Sequence, residues 1–526
     1  MTIHKFSRKL NKVTATVYAL LCMATLLLSS CQLPAEWPQT LTVESTSQAI
    51  SQSPEPVATD LDQQVHALID LHGLTGDPSM GRDLPSIESD LAQLGKKLFF
   101  TKALGGDMDV ACASCHLPTL GGGDGLSLSI GTGAIDPDVV GPSRTHLSGH
   151  PNVPRNAPTT FNIALWDKVL FHDGRVESLG KTPGMNGGDD MGIRTPDSIF
   201  GIADPNAGDN LVIAQSRFPV TSQEEMLGEE FAADNRDNQA IRNQLAARLN
   251  GELDEVTNRY DATPLVNSAI WQQEFSTVFD ALDGYADHPA YITEMRIAQA
   301  LAAYERSQIF VDTPWSTYIN GSYDAISEEA KRGAVLFYET IENGGANCAS
   351  CHTGDFFTDE GFHVLAIPQV GPGKEDESES GADFGRFRQT RHPDDLYAFR
   401  TPSLLNVEVT GPYGHDGACT TLEAIVRYHL DPSTAMEEFD WYQLDSSIQI
   451  EYAFANTYDA LDKLEQNRAM GIPTIENVSL TDSEIDDLIA FLHTLTDPCV
   501  KDENCLSPWM PEHEDMESFR LLAATQ

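Results

Sequence analysis

The pentapeptide Cys-Ala-Ser-Cys-His occurs twice in this chain, at residues 112–116 and 348–352. Cys-x-x-Cys-His is the attachment signature of c-type haem: both thiols bond to the porphyrin and the adjacent imidazole becomes an axial ligand of the iron. Two Cys-x-x-Cys pairs are also the composition of a four-thiolate zinc site, and one pair that of a thioredoxin-like dithiol. Neither explains a histidine directly after both pairs, and no thioredoxin-like strand-helix context surrounds them. Two covalent haems and redox chemistry are therefore expected. The motifs lie too far apart for a short haem-to-haem repeat, and each has its own preceding helix, Leu94-Gly-Lys-Lys-Leu-Phe-Phe100 and Lys331-Arg-Gly-Ala-Val-Leu-Phe337. A mono-haem module used twice, one haem per domain, fits that layout.

Haem attachment of this kind implies export, and the N-terminus agrees. Lys5, Arg8, Lys9 and Lys12 precede an apolar run from Val17 to Leu28, too short to span a bilayer comfortably and suited to a signal peptide. The run ends in Leu28-Ser-Ser-Cys31, which looks like a bacterial lipobox. Cys31 would then be the lipidated first residue and Cys22 would be discarded; the competing reading is an ordinary cleaved signal with a free Cys31. Acyl chains contribute about 0.8 kcal/mol per buried methylene, so several would hold the protein on a membrane. Gln32, rather than Asp, after the cysteine favours the outer membrane of a Gram-negative envelope, facing the periplasm. A formal net charge of −46 excludes nucleic acid as a partner, because its phosphates would be repelled. Of nine cysteines, Cys499 and Cys505 lie six apart and suit a small-loop disulfide in an oxidising compartment. Cys419 is left odd and reads as a buried, inert thiol.

Ser45 to Asp60 is rich in Ser, Thr, Gln and Pro and reads as a tether. A helix is expected from Leu91 to Phe100, an alanine-rich one from Arg296 to Ile309, and one from an N-cap at Ser327 through Phe337. Thr481 and Glu484 form a capping box that opens a last helix to Leu495. No run sustains alternation at period two, so the fold class is mostly α with long loops. Gly180 to Leu211 and the acidic Gly371 to Gly381 read as surface insertions. Asp204-Pro-Asn-Ala-Gly-Asp209 has the wrong ligand spacing for a calcium loop and reads as a plain turn.

Five further segments carry a resemblance: Arg155-Asn-Ala-Pro-Thr-Thr-Phe-Asn162, Phe171-His-Asp-Gly-Arg175, Glu225-Met226, Phe399-Arg-Thr-Pro-Ser-Leu-Leu-Asn406 and Thr410-Gly-Pro-Tyr-Gly-His-Asp-Gly417. With the two haem motifs, in this order, the chain resembles the bacterial di-haem cytochrome c peroxidase and MauG-type family from about residue 88 to 498. That resemblance implies two cytochrome c-like haem domains. The expected layout is a lipoprotein signal (1–31), a tether and N-terminal extension (32–87), an N-terminal peroxidatic haem domain (88–285), a C-terminal electron-transfer haem domain (286–498) and a tail (499–526).

Roles follow from the same resemblance. The first haem, on Cys112, Cys115 and His116, reacts with peroxide; the second, on Cys348, Cys351 and His352, passes electrons to it. Many members carry a removable distal histidine in a Ser-Ile-Gly-His stretch, where this chain has Ser129-Ile-Gly-Thr132, so the first iron is expected to be five-coordinate or water-bound at rest. His146 or His150 could substitute as a ligand. Glu225 matches the family's distal acid/base glutamate, with Glu224 as its competitor, and Gln215 matches a glutamine placed beside it. His429 stands where relatives place a methionine or tyrosine, which predicts bis-histidine ligation of the second iron, with Met436 as the fallback; bis-histidine ligation gives a lower potential than His/Met. His172 replaces the family's inter-haem tryptophan. A calcium ion is implied at Asn156, Thr410 and Pro412, whose oxygens suit a hard cation. The implied partners are hydrogen peroxide, a small c-type cytochrome or cupredoxin as electron donor, and a membrane through the lipid anchor, with a homodimer left open. The leading expectation is peroxide reduction; a MauG-type oxidase acting on a protein or organic substrate, and a non-catalytic di-haem carrier, are the alternatives.

Overall fold

The computed structural model describes residues 58–232, 237–252, 268–283, 291–374, 376 and 381–512. The leader, Cys22, Cys31, the tether through residue 57, the boundary at 285/286 and the tail beyond 512 lie outside the described residues. No described helix is long and apolar enough to cross a membrane.

Helices joined by long irregular segments make up the fold. Among the described residues, strands form two small antiparallel sheets, Val169–Leu170 with Val176–Ser178 and Ile193–Arg194, and Phe362–Val364 with Ala398–Arg400. Two helix crossings organise the rest. The Asp90–Phe100 helix starts where the Ser89 side chain accepts from the Ala92 amide, and it packs across the Glu294–Arg306 helix, capped in the same way by Thr293. Gly95 permits the crossing, since a Cβ there would lie 1.9 Å from the Ala300 carbonyl oxygen. Phe99 and Phe100 then pack on Tyr304, with ring centroids 4.9 and 6.5 Å apart.

The same device is built again further along. The Glu328–Tyr338 helix, capped by Ser327, crosses the Asp482–His493 helix at Gly333, where a Cβ would lie 1.9 Å from the Asp487 carbonyl oxygen. Phe337 and Tyr338 pack on Phe491 at 5.2 and 6.0 Å. Each crossing leads into one Cys-Ala-Ser-Cys-His motif, whose first three residues form a single 3-10 turn. Burying an aromatic or aliphatic side chain of this kind contributes roughly 1.5–3 kcal/mol, so each crossing is the centre of a core.

The first core joins Leu94, Leu98 and Tyr304 to Trp271 and Phe275 of the Ser268–Asp283 helix; the second joins Trp315, Phe357 and Leu488. The Asp60–His72 helix, within the stretch read as an extension, packs Val65, Leu68 and Ile69 into the second core. Its Asp62 accepts from the Tyr318 hydroxyl at 2.8 Å and pairs with Lys331 at 2.9 Å. The Glu294–Arg306 helix, which lies beyond residue 286, belongs to the first core. It ends earlier than expected because Asn162 reaches across: the Asn162 amide donates to the Gln308 carbonyl at 2.8 Å and its Oδ1 accepts from the Phe310 amide at 2.8 Å. The Thr481–Glu484 capping box is present.

Buried ion pairs tie residues of the two halves. Arg155 donates to Asp383 at 2.6 and 2.8 Å and pairs with Asp173 at 2.9 Å, and Arg386 pairs with Glu177 at 2.7 Å. Cys499 and Cys505 form a disulfide, and Cys419 is buried with its thiol pushed up to about 12 by burial. Asp204 is engaged by Thr195, the Asn206 amide and Arg217, as a structural turn requires.

Candidate functional site

Both motif histidines are prepared alike. His116 Nδ1–H donates to the Gly122 carbonyl at 3.2 Å and His352 Nδ1–H to the Phe357 carbonyl at 3.1 Å. A carbonyl can only accept, so each bond fixes the tautomer and leaves Nε2 as the metal-binding atom. Burial lowers both pKa values, and for His352 burial and the neighbouring His429 bring it to about 4. Neutral imidazole is the ligating form. Burial pushes the thiols of Cys115 and Cys348 up to about 12. Among the described residues the group that could hold a free metal ion is Cys351, Asp359 and His363, so the four motif thiols do not assemble into one site.

His116, Cys112 and Cys115 line a cavity walled by Phe99, Val110, Leu170 and Leu301, an apolar lining that suits a planar apolar ring. Several polar side chains enter it. Glu225 sits in a one-turn π-helical segment, Gln223–Leu227, capped by the Ser222 hydroxyl, and Arg175 Nη2 lies 3.5 Å from its Oε1. Arg175 is itself steadied over the Phe171 ring, 3.6 Å from the centroid. Glu224, by contrast, is exposed and accepts from Ser222. Gln215 reaches the cavity from the Leu211–Ser216 helix, which Asn210 caps; its Oε1 is buried and has no partner within the protein. A buried amide oxygen left in that state is costly, which marks it as a place for a donor on a bound molecule.

His172 also lines the cavity and donates Nε2–H to the Asn156 carbonyl at 3.0 Å; burial, Arg155 and Arg400 bring its pKa down to about 3. Three lining residues escaped the sequence reading. Arg400 stacks over Trp166 at 3.5 Å and donates Nη1 to the Val169 carbonyl at 3.2 Å, while its buried Nε has no hydrogen bond. Lys374 comes from the acidic segment read as a surface insertion; burial, with Arg175 and Arg155 nearby, pulls it down to about 8. Glu305, on the Glu294–Arg306 helix, is raised to about 8 by burial. Glu305 left a signal, because it is one turn beyond Leu301 on the apolar stripe of an alanine-rich helix. Lys374 left none.

Neither alternative histidine lines this cavity. His146 Nδ1 accepts from the Ser148 amide at 3.0 Å, and the exposed His150 bonds the Ser447 carbonyl at 2.8 Å. Thr132 is bonded to the turn that carries Glu225, its hydroxyl donating to the Gln223 carbonyl at 3.1 Å.

At the second motif, the rings of His352 and His429 have centroids 6.4 Å apart. Two imidazoles on opposite sides of one iron, each bonded at about 2 Å, have centres about 6 Å apart, so the pair fits a single metal between them. His429 is the penultimate residue of the Leu422–Leu430 helix, and its Nδ1–H donates to the Ile425 carbonyl one turn back at 2.8 Å, which again leaves Nε2 to ligate. Met436 is buried with Tyr428, Leu444 and Ile448 in a separate apolar core. The segments bearing Asn156, Thr410 and Pro412 meet, since the Asn156 amide donates to the His415 carbonyl at 3.0 Å and its side chain to the carbonyls of Leu126 and Ser127 at 2.9 and 3.2 Å.

Residues 89–324 match the family model described as di-haem cytochrome c peroxidase. The chain is 28% identical over 339 residues to the methylamine utilization protein MauG of Methylorubrum extorquens, covering 64% of this chain and 67% of that one. It is 27% identical over 442 residues to the cytochrome-c peroxidase IdrP1 of Denitromonas iodatirespirans, covering 79% and 84%. Over 342 residues it is 24% identical to the cytochrome c551 peroxidase of Pseudomonas aeruginosa, covering 65% and 71%. With two haem-attachment motifs on matching helix crossings, the chain is similar to the di-haem cytochrome c peroxidase and MauG proteins, a likeness that supports an oxidoreductase with two c-type haems.

Proposed function

We propose that this protein reduces hydrogen peroxide to water, H2O2 + 2 e⁻ + 2 H⁺ → 2 H2O, with the electrons drawn from a small periplasmic c-type cytochrome or cupredoxin. The observation that carries the reading is one cavity lined by His116, both thiols of its motif, Glu225, Gln215 and Arg175. A haem held there by Cys112, Cys115 and His116 supplies the redox-active iron at which the peroxide bond is broken. Glu225 takes the proton from one peroxide oxygen and returns it to the departing one, a role worth roughly 10²–10⁴-fold in rate. Gln215 Oε1 accepts a hydrogen bond from the peroxide, and Arg175 keeps the Glu225 carboxylate aimed inward. Thr132, in place of a removable histidine ligand, supports a first iron that is ready without prior reduction. His352 and His429 would hold the second haem, whose chemistry would be electron storage and transfer.

The same reading places the protein on the periplasmic side of the outer membrane, lipid-anchored at Cys31, with calcium held by Asn156, Thr410 and Pro412. A MauG-type oxidase is the second reading, favoured by Thr132 and by the identity to MauG of Methylorubrum extorquens. Steady-state peroxide reduction by the as-isolated ferric protein, with and without pre-reduction, tests the proposal. Turnover should be equal in both and fall by about 10²–10⁴-fold in Glu225→Ala. An unchanged rate in that variant removes the role of Glu225. Absence of turnover with oxidation of an added protein or organic substrate favours the oxidase, and absence of both favours the carrier.

A further inference from the structure

The stretch after the first motif is braced by a single buried side chain. Arg144 is 2% exposed and spends its guanidinium on backbone carbonyls: Nε on Ile130 at 2.7 Å, Nη1 on Pro137 at 3.2 Å and Val139 at 2.9 Å, Nη2 on Gly131 at 2.9 Å and Asp109 at 3.5 Å. A planar fork of donors saturated in this way holds a loop rigid. Asp109 adds a further tie by accepting from the Gly133 amide at 2.7 Å.

The braced loop is joined to the turn that carries Glu225. A π-helical turn standing alone is a poor structure, and its carbonyls have no continuing helix to receive them. Here the Thr132 amide donates to the Glu224 carbonyl at 3.1 Å, and Asn152 Nδ2 donates to the same carbonyl at 3.1 Å and to the Thr132 carbonyl at 3.1 Å. The Thr132 hydroxyl takes the Gln223 carbonyl, and Asn152 Oδ1 accepts from the Gly131 amide at 3.2 Å. Gly131 completes the fit, because a Cβ there would lie 2.1 Å from the Glu224 carbonyl oxygen and 2.5 Å from that of Glu225. The peptide immediately before Glu225 is thus gripped from both sides.

We infer that Thr132 and Asn152, braced by Arg144, form a latch that fixes the Glu225 turn against the loop, so that the Glu225 carboxylate is in position before any electron arrives. Thr132 and Asn152 are positioning residues; they act through Glu225 and touch no reactant. The inference rests on the reading of Glu225 as the acid and base of peroxide cleavage.

The test compares the ferric holoprotein with Thr132→Val/Asn152→Ala and with Thr132→Ser, leaving Arg144 intact; Asn152→Ala alone replaces the double variant if that one does not fold. Amide hydrogen exchange over residues 223–228 should be at least about ten-fold faster in the double variant and unchanged in Thr132→Ser. The kcat for peroxide should fall at least about ten-fold with the KM for the electron donor unchanged, and Thr132→Ser should restore it. Unchanged exchange overturns the latch. Faster exchange with unchanged kcat, where Glu225→Gln is inactive, overturns its positioning role. If Glu225→Gln turns over normally, the acid/base reading is what has failed, and exchange alone then decides the latch.

Discussion

A carboxyl group on a helix face that otherwise shows Ala298, Leu301 and Ala302 to the interior is the kind of residue that sets pH behaviour, and Glu305 is in that position. Burial raises its pKa from 4.5 to about 8, so the folded chain holds the proton more tightly than the unfolded chain does. Folding stability is then undiminished by Glu305 below pH 4.5, declines as pH rises from 4.5 to about 8, and levels off above that. Glu305→Gln should flatten this slope, so that thermal melts of variant and parent diverge as pH is raised from 4.5 to about 8 and keep a constant separation above that; parallel pH dependences between 4.5 and 8 would show that the carboxyl is not held protonated. At this scale the sequence pointed to residues that the fold brings together: Cys112, Cys115, His116, Gln215 and Glu225 line one cavity, and the rings of His352 and His429 lie side by side. It was unreadable where a side chain enters the site from a segment with no pattern. Nothing in a Gly- and acid-rich stretch marks Lys374 as the residue that turns inward.

Helix boundaries set by local hydrogen bonds were legible as well. Ser327, Thr481 and Glu484 cap the helices that their side chains announce. Boundaries set by distant residues were not, as the end of the Glu294–Arg306 helix shows: the backbone amide of Asn162 holds Gln308 and its side chain holds Phe310 off the helical path. The docking of the Asp60–His72 helix on the second core was hidden for the same reason, since amphipathicity gives a helix a buried face and does not name the partner. Arg155 is the strongest case of an element-level contact. Burial acting alone would raise Asp173 and Asp383, but the buried Arg155 guanidinium between them holds both carboxyls well below the usual range. Their contribution to stability is therefore complete above the ordinary carboxylate pKa and is lost as pH falls through the depressed values. Arg155→Met leaves the buried Asp383 without its ion pair and Asp173 with Arg175 alone at 3.7 Å, and should cost about 3–5 kcal/mol in chemical denaturation at neutral pH. A loss below about 1 kcal/mol would mean that the ion pairs do not hold these segments together.

On the scale of the whole molecule, one construction is used twice and then made unequal. Gly95 and Gly333 allow the same close crossing, Tyr304 and Phe491 fill the same place against paired aromatic residues, and each crossing delivers one haem motif. The difference lies in what faces each histidine: a cavity with Glu225, Gln215 and Arg175 at His116, and a second imidazole at His352. On the proposed reading, that inequality gives peroxide chemistry to the first haem and electron supply to the second. Electron paramagnetic resonance of the resting ferric holoprotein tests it most directly. One high-spin signal and one low-spin signal, in equal amounts, are the predicted result; two low-spin signals would contradict the account by showing that the iron on His116 carries a second strong ligand.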